Sequence, residues 1–314
     1  MKKIVVFTGA GVSADSGLAT FRDSDGLWAS YRIEDVCTPE ALAHNRATVI
    51  GFYNMRRREM LAAQPNAGHE AIAGLERDFE VEVLTQNVDD LHERAGSSKV
   101  THLHGELTCL RSSRNPDLVV PIEGWEQKLD ATAPDGALLR PHIVFFGEAV
   151  PMFERAAQIA QTADIMVVVG TSLAVYPAAS LVRCVRPEIP IYVVDPGNPD
   201  TAGIRNPLTL IRKRAAEGMP GLVELLREKY AAGSGRLHFA SAYSPAFPAR
   251  LLLRHFASGF CPCFSCRYFA PGFHPGSFCR RIPLRRFAAR GLQYWRRESE
   301  RKPPSGEIRR RFSF

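Results

Sequence analysis

Short, unbroken apolar runs punctuate the first 230 residues of the chain, separated by longer stretches in which apolar positions recur every three or four residues. The runs at 4–7, 81–84, 165–169, 189–194 and 208–211 are rich in Val, Ile and Leu, and the first four stop at clusters of Gly, Thr, Asn, Asp or Ser. A strand with one wet face alternates, whereas a strand buried on both faces does not. These runs therefore predict a parallel sheet covered by helices on either side. The stretches 48–62, 67–77, 153–162 and 222–230 carry helix formers with one apolar face and predict helices. Strand–helix alternation of this kind predicts an α/β fold, a Rossmann-like doubly wound parallel sheet. Two stretches break the alternation, 20–66 and 105–140, and are assigned to a smaller lobe inserted in the main one.

From residue 231 the periodicity is lost, and charge divides the chain at the same place. The 314 residues carry a net charge of +7, but 231–314 hold 16 Lys and Arg against three Glu, a net of +13. Residues 1–230 are left with 24 basic and 30 acidic side chains, a net of −6. The basic character therefore gives no reason to expect nucleic acid on the body. The Arg-, Phe-, Pro- and Cys-rich tail is expected to be a disordered or artefactual extension. A nucleic-acid or membrane-surface patch, since Arg with aromatics can stack and neutralise phosphate, or a metal on Cys261, Cys263 and Cys266, remains an alternative. In the body, Cys37, Cys109 and Cys184 are widely spaced, as reduced thiols rather than a disulfide framework would be. No apolar run approaches the roughly 18 residues needed to span a bilayer, and Met1-Lys2-Lys3 precedes too short a run for a signal peptide. A cytoplasmic, monomeric protein without membrane contact is expected.

The first predicted strand runs into Gly9-Ala10-Gly11-Val12-Ser13-Ala14, which fits G-x-G-x-x-G/A at a strand-to-helix turn. Gly9 permits the turn, Gly11 lets a phosphate approach the backbone, and Ala14 is small enough for helix to pack on strand. A dinucleotide fold expects a ribose-binding acid about 20 residues on, but Phe21-Arg22-Asp23-Ser24-Asp25-Gly26-Leu27-Trp28 looks like a loop. Asp195, at the end of the 189–194 run, is the better candidate. The plainer reading is a turn-forming Asp before Pro196. A dehydrogenase is disfavoured, because no hydride-transfer constellation accompanies the glycine loop.

The run from Gly9 to Arg22 resembles the sirtuin signature, as do Thr85-Gln86-Asn87-Val88-Asp89, His102-Leu103-His104-Gly105-Glu106 and Gly170-Thr171-Ser172, in the family's order. The resemblance covers residues 1 to about 230. It implies NAD as cofactor, held by Gly9, Ala10, Gly11 and Ala14, with Phe21, Arg22 and Trp28 in a loop closing over it. Asn87 and Asp89 are implied to line the nicotinamide pocket and Gln86 to touch the ribose hydroxyls. Gly170, Thr171 and Ser172 are implied at the ADP part, Asp195, Pro196 and Gly197 at the adenosine, and Ala215 beside the adenine. His104 is implied as general base, because a neutral imidazole with a pKa near working pH can accept a ribose hydroxyl proton. Its neighbour His102 reads as a structural hydrogen bonder. The implied activity is removal of acyl groups from lysines of acylated proteins, yielding nicotinamide, free lysine and O-acyl-ADP-ribose.

Tyr53 and Arg56 lie three apart on one face of the 48–62 helix and together suit a carboxylate at the end of an acyl chain. The pair resembles that of sirtuins removing succinyl and malonyl groups as well as acetyl. The plainer reading is a solvated face, since Arg57 and Arg58 follow. Val144, Phe145, Phe146 and Gly147 resemble the family's substrate cleft, where an extended peptide adds by strand pairing. Leu173, Val175 and Tyr176 are expected opposite, and residues 143–146 also read simply as a buried strand. Most sirtuins bind zinc through two Cys-x2-Cys pairs. Between His104 and Arg140 this chain has only Cys109, and one thiol cannot make a tetrahedral site, so no zinc is expected in residues 1–230. An NAD glycohydrolase or ADP-ribosyltransferase using the same pocket, and a non-catalytic NAD-binding module, stay open.

Overall fold

A computed structural model describes residues 1–20 and 31–231. Phe21, Arg22, Trp28 and the tail cysteines lie outside the described residues. Six parallel strands form the main sheet: β1 (Lys3–Thr8), β2 (Glu80–Thr85), β3 (Val100–His102), β7 (Ile165–Val169), β8 (Ile191–Val194) and β9 (Leu208–Ile211), in the order β3-β2-β1-β7-β8-β9. The fold is the expected Rossmann-like doubly wound sheet.

Four of the runs lack alternation because both faces of the sheet are dry there; the fifth, β9, is an edge strand with Leu208 and Leu210 exposed. Val5 and Phe7 of β1 pack with Met166 and Val168 against Ala156, Ile159 and Ala160 of α6 (Phe153–Gln161), the helix that follows the one-turn α5 (Leu91–Arg94) in the chain. Ile4 and Val6 point the other way, with Val167, onto Ile72 of α4 (Ala67–Gly74) and Met219, Leu222 and Leu226 of α7 (Ala215–Tyr230). Each such Val, Leu, Ile, Phe or Met side chain, taken from water to a dry core, contributes about 1.5–3 kcal/mol. Strands are added to one side of β1 by β2 and β3, and to the other by β7, β8 and β9. The topological switch point, where a crevice opens at the carboxyl ends of the strands, therefore lies between β1 and β7.

The smaller lobe pairs three helices, α1 (Ile33–Val36), α2 (Pro39–His44) and α3 (Arg46–Ala62), with an antiparallel sheet of β4 (Gly105–Ser112), β5 (Val119–Pro121) and β6 (Leu139–Ile143), ordered β5-β4-β6. Thr38 caps α2, its hydroxyl accepting from Ala41 N at 3.0 Å with Pro39 next in the first turn. Asn45 caps α3 by accepting from Thr48 N at 3.3 Å. Val36, Val49, Phe52, Tyr53, Leu107, Ile143 and Phe145 share the lobe's core.

The structure corrects several expectations. The glycine turn leads into two single 3-10 turns, Ala10–Val12 and Ala14–Ser16, and not into a long helix. The 222–230 helix begins at Ala215 and continues through Pro220, giving up one backbone bond near its start rather than breaking there. Residues 105–140, read as turn-rich, hold the small sheet, and β3 adds a parallel strand that no apolar run marks. The 143–146 strand ends at Ile143. Beyond it the chain turns, with Phe146 N donating to Cys37 O at 3.0 Å and Glu148 N to Phe145 O at 3.0 Å. Among the described residues no helix is long and apolar enough to cross a membrane.

Candidate active site

The motif segments begin where the strands of the main sheet end, and backbone bonds stitch their first residues into one line. Gln86 N donates to Thr8 O at 2.9 Å, Gly9 N to Val169 O at 3.0 Å, Gly170 N to Val194 O at 2.9 Å, and Asp195 N to Ile211 O at 3.1 Å. Gln86, Gly9, Gly170 and Asp195 thus stand side by side along the carboxyl edge. Across β1, the Gln86 amide donates to the Thr171 hydroxyl at 2.9 Å.

The glycines here answer first to one another. A Cβ on Gly11 would lie 2.8 Å from Gly170 Cα, and one on Gly9 would lie 2.7 Å from Thr171 Cβ. Gly170 has φ +59, and a Cβ there would meet Val12 N at 2.3 Å. Gly11 N donates to Gly170 O at 2.8 Å. The two loops touch backbone to backbone, so side chains are excluded before any ligand arrives. Gly11 is thus required by the Gly170 backbone as well as by any phosphate.

Beside the junction a hollow is lined by Ala10, Ser13, Asn87, Asp89 and Arg56, with Leu18, Ala19 and Val88. Three of its polar residues, Ser13, Asn87 and Asp89, form one network. Ser13 Oγ donates to Asp89 Oδ2 at 3.1 Å and accepts from Asn87 Nδ2 at 3.1 Å. Asp89 Oδ1 accepts from Leu91 N at 3.2 Å. Burial pushes the Asp89 carboxyl above its ordinary pKa, opposed by these two donors. Ser13, 2 % exposed, joins the two pocket residues, a part the glycine motif alone does not assign to it. A buried hydroxyl inside a glycine turn is the signal that could have marked it.

His104 follows β3, and its neighbour explains its placement. Gly105 has φ +82, and a Cβ there would sit 1.9 Å from His142 O, so only glycine lets β4 leave next to β6 at this point. His104 O accepts from Val144 N at 2.9 Å, and His104 Nδ1 lies 3.0 Å from Gln86 O. A carbonyl only accepts, so Nδ1 carries the proton and Nε2 keeps its lone pair. Burial lowers the His104 pKa, with the Gln86 bond opposing. The imidazole is therefore neutral near pH 7. His102 is tied by Nδ1 to Asn87 O and by Nε2 to Glu93 Oε1, each at 2.9 Å. Burial disfavours its charge, but Glu93 outweighs this and its pKa is raised.

The remaining sequence candidates fall in distinct places. Tyr53 is 4 % exposed, its ring stacked on Phe145 at 5.7 Å and its hydroxyl 3.1 Å from Cys37 Sγ. Burial raises both the phenol and the Cys37 thiol, the latter to about 11. Arg56, one turn on, has its side chain 8 % exposed and pairs with Glu59 at 2.5 Å. Gly147 is exposed at a turn with φ +90, and Phe146 is half-buried beside it. Ser172 is exposed after the buried Thr171, and its carbonyl accepts from Asp200 N at 2.9 Å. Asp195 Oδ1 accepts from Gly197 N at 2.8 Å around Pro196, the turn geometry the plainer reading expects. Ala215 is 2 % exposed, packed in the core against Gly68. Leu173 is buried at φ 56, held by its N–H to Thr171 Oγ1 at 3.2 Å. Among the described residues no group of three or more His, Cys, Asp or Glu is placed to hold a metal ion.

Residues 9–177 match the family model described as the Sir2 family. The chain belongs to the Sir2 family. An NAD-dependent protein deacylase of Aggregatibacter actinomycetemcomitans is 55% identical over 210 residues, covering 67% of this chain and 99% of that protein. One from Bacteroides thetaiotaomicron is 51% identical over 231 residues, covering 72% of this chain and 98% of its own length. A Sir2 homologue mutant solved with ADP-ribose superposes with a TM-score of 0.67 at 40% identity, covering 73% of this chain and 93% of that one. A Sir2 homolog–NAD complex gives 0.64 at 40% identity, covering 73% and 90%. Membership of the Sir2 family makes this an NAD-dependent protein deacylase. The residues present fit NAD: a glycine junction at the switch point, and a hollow beside it holding an amide, a carboxyl and a hydroxyl.

Proposed function

We propose that this Sir2 enzyme removes acidic acyl groups, succinyl and malonyl, from protein lysines, with acetyl also accepted. The observation that carries the reading is Arg56. It is a nearly buried cation whose side chain lines the same hollow as Asn87 and Asp89. A guanidinium out of water is costly unless it meets an anion, and its fork matches a carboxylate. Tyr53 lies three residues earlier on α3 and closes the lobe's core beneath it, stacked on Phe145.

NAD, when bound, supplies a ribose whose bond to nicotinamide is exchanged for one to the acyl oxygen. The chain's part is to hold and to move a proton. Asn87 and Asp89, fixed through Ser13, line the hollow proposed for the nicotinamide end, and Gly9, Ala10, Gly11 and Ala14 form the turn beneath the phosphates. Gln86 and Thr171, joined across β1, stand where the ribose is proposed to lie. Asp195, Pro196, Gly197 and Ser172 are proposed for the adenosine side. His104 presents Nε2 to take a hydroxyl proton. Val144 to Gly147, turning away from β6, are proposed to receive the peptide backbone.

The test is product analysis by mass spectrometry with NAD and matched acetyl- and succinyl-lysine peptides, comparing wild type with Arg56→Met. A charged hydrogen bond contributes about 1.5–3 kcal/mol, so Arg56→Met is expected to reduce desuccinylation roughly 10–100-fold while sparing deacetylation. Equal losses on both peptides refute the acyl assignment. Nicotinamide release that no acyl peptide accelerates refutes deacylation in favour of glycohydrolysis.

A further inference from the structure

The C-terminal half of α3 carries Arg56, Arg57, Arg58 and Glu59 in succession, and each arginine has a different occupation. Arg57 is buried, its Nε donating to Leu107 O at 2.7 Å and its Nη1 to Trp125 O at 2.9 Å. Arg58 lies over the Trp125 ring at 3.9 Å. Both therefore brace the small lobe. Arg56 alone lines the hollow, and among the described residues its ion pair is with Glu59.

That pair is asymmetric. The Arg56 side chain is 8 % exposed and that of Glu59 is 42 % exposed. Glu59 can return to water at little cost, whereas Arg56 cannot and needs a counter-charge whatever occupies the site. We infer that Glu59 sets the acyl preference of the site by serving as the resident counter-ion of Arg56, in competition with the carboxylate of an acidic acyl group. The inference rests on the acyl reading proposed above.

With a neutral acyl group present, Glu59 keeps Arg56 satisfied, so an acetyl-lysine is not penalised by a naked buried cation. An acidic acyl group must share the guanidinium with Glu59 or displace it. Two carboxylates on one guanidinium repel, and displacement forfeits a charge-assisted bond. Glu59 therefore subtracts from what Arg56 offers to succinyl and broadens the range of acyl groups accepted. Glu59 is a specificity-determining residue that acts through Arg56.

The experiment is steady-state kinetics on succinyl- and acetyl-lysine peptides for Glu59→Gln, Arg56→Met and the double variant, with thermal midpoints to confirm folding. Gln keeps the shape and an accepting oxygen and removes only the charge. Glu59→Gln is expected to raise the succinyl-to-acetyl ratio of kcat/KM about 3–10-fold, chiefly by lowering KM for succinyl, and to do nothing in the Arg56→Met background. Glu59→Ala, at an exposed helix position tolerant of change, is expected to move the ratio the same way. A ratio that falls, that stays within twofold, or that rises equally without Arg56 overturns the inference. If Arg56→Met itself leaves the ratio unchanged, the acyl reading has failed. If Arg56→Met collapses the ratio while Glu59→Gln is inert, only the role of Glu59 has failed.

Discussion

Nδ1 of His104 lies 3.0 Å from the carbonyl oxygen of Gln86, and this contact decides which nitrogen is free to act as a base. Gln86 itself is held by its N–H to Thr8 O at 2.9 Å and its amide to Thr171 at 2.9 Å. The tautomer of the imidazole is therefore set from the end of the central strand.

Activity should follow the neutral form of His104. Burial depresses its pKa, so the acid limb of kcat/KM is expected below the ordinary histidine value of about 6.5, with turnover lost as pH falls through the depressed value. His104→Ala is expected to lower kcat roughly 10²–10⁴-fold while leaving NAD binding, measured by calorimetry, nearly unchanged. An acid limb above pH 6.5, or a variant that keeps its rate, contradicts the assignment of the base.

Glycine substitutions should separate by contact rather than by motif. Gly17 has φ +86 with open space around it, so Gly17→Ala carries only the left-handed backbone cost, about 1–2 kcal/mol. Gly170→Ala and Gly105→Ala add collisions with Val12 N at 2.3 Å and His142 O at 1.9 Å. Both are expected to cost more than about 3 kcal/mol in urea unfolding, or to leave a folded but inactive protein. Equal costs at the three sites would show that the loop junction and the β4–β6 crossing are slack.

The centre of the main sheet was readable because parallel strands dry on both faces leave continuous apolar runs, and because four of the runs stop at the polar clusters that form the crevice edge; β3 carries no apolar run, and β9 is an exposed edge strand whose run ends at Arg212-Lys213. The small sheet was not, and β4 shows why. Its register shifts between Gly105 and Leu110, and buried positions fall at Leu107, Leu110 and Ser112 rather than at every second residue. A bulge erases the period-2 signal. β5 is three residues long, too short to carry a period. At the site, Tyr53 and Arg56 were legible as a pair one turn apart on α3. The partners that occupy them were not equally legible: Glu59 is on the same face, but the Cys37 thiol reaches Tyr53 only through the fold of the small lobe. The reason Gly9 and Gly11 must be glycines lies some 160 residues away, at Gly170 and Thr171.

A buried histidine pair should make the protein acid-sensitive. The rings of His69 and His92 meet edge-on at 5.0 Å, and burial lowers them to about 4 and about 3, respectively. Both stay neutral in the folded chain, while the unfolded chain takes up protons below about pH 6.5. Stability contributed by the pair is thus complete above that value and is lost as pH falls toward the folded values. For two sites the slope approaches about 2.7 kcal/mol per pH unit. His102 acts in the opposite sense, since its raised pKa favours folding below its folded value. Urea midpoints measured from pH 7.5 to 5 are expected to peak just above 6.5 and then decline. His92→Gln should flatten the decline. A midpoint flat across this window would show that water or a rearrangement relieves the pair.

The small lobe should owe its stability to a charge clasp rather than a metal. Glu148 accepts from Arg140 Nη1 at 2.6 Å, Arg111 Nη2 at 3.0 Å and Phe145 N at 2.8 Å. Burial works against its charge, yet the Arg140 and Phe145 donors hold its carboxyl below the usual range. Arg140 also lies over the Phe145 ring at 4.0 Å, and Phe145 stacks on Tyr53. The clasp therefore ties β4 and β6 to α3. Glu148→Ala leaves two arginines facing each other with side chains 10% and 11% exposed, and is expected to cost about 2–4 kcal/mol in urea unfolding. Glu148→Gln, which still accepts from Phe145 N, should cost less. Prolonged chelation with EDTA should leave the wild-type midpoint where it was. A chelator effect as large as that of Glu148→Ala would mean that a metal, and not this carboxylate, holds the lobe together.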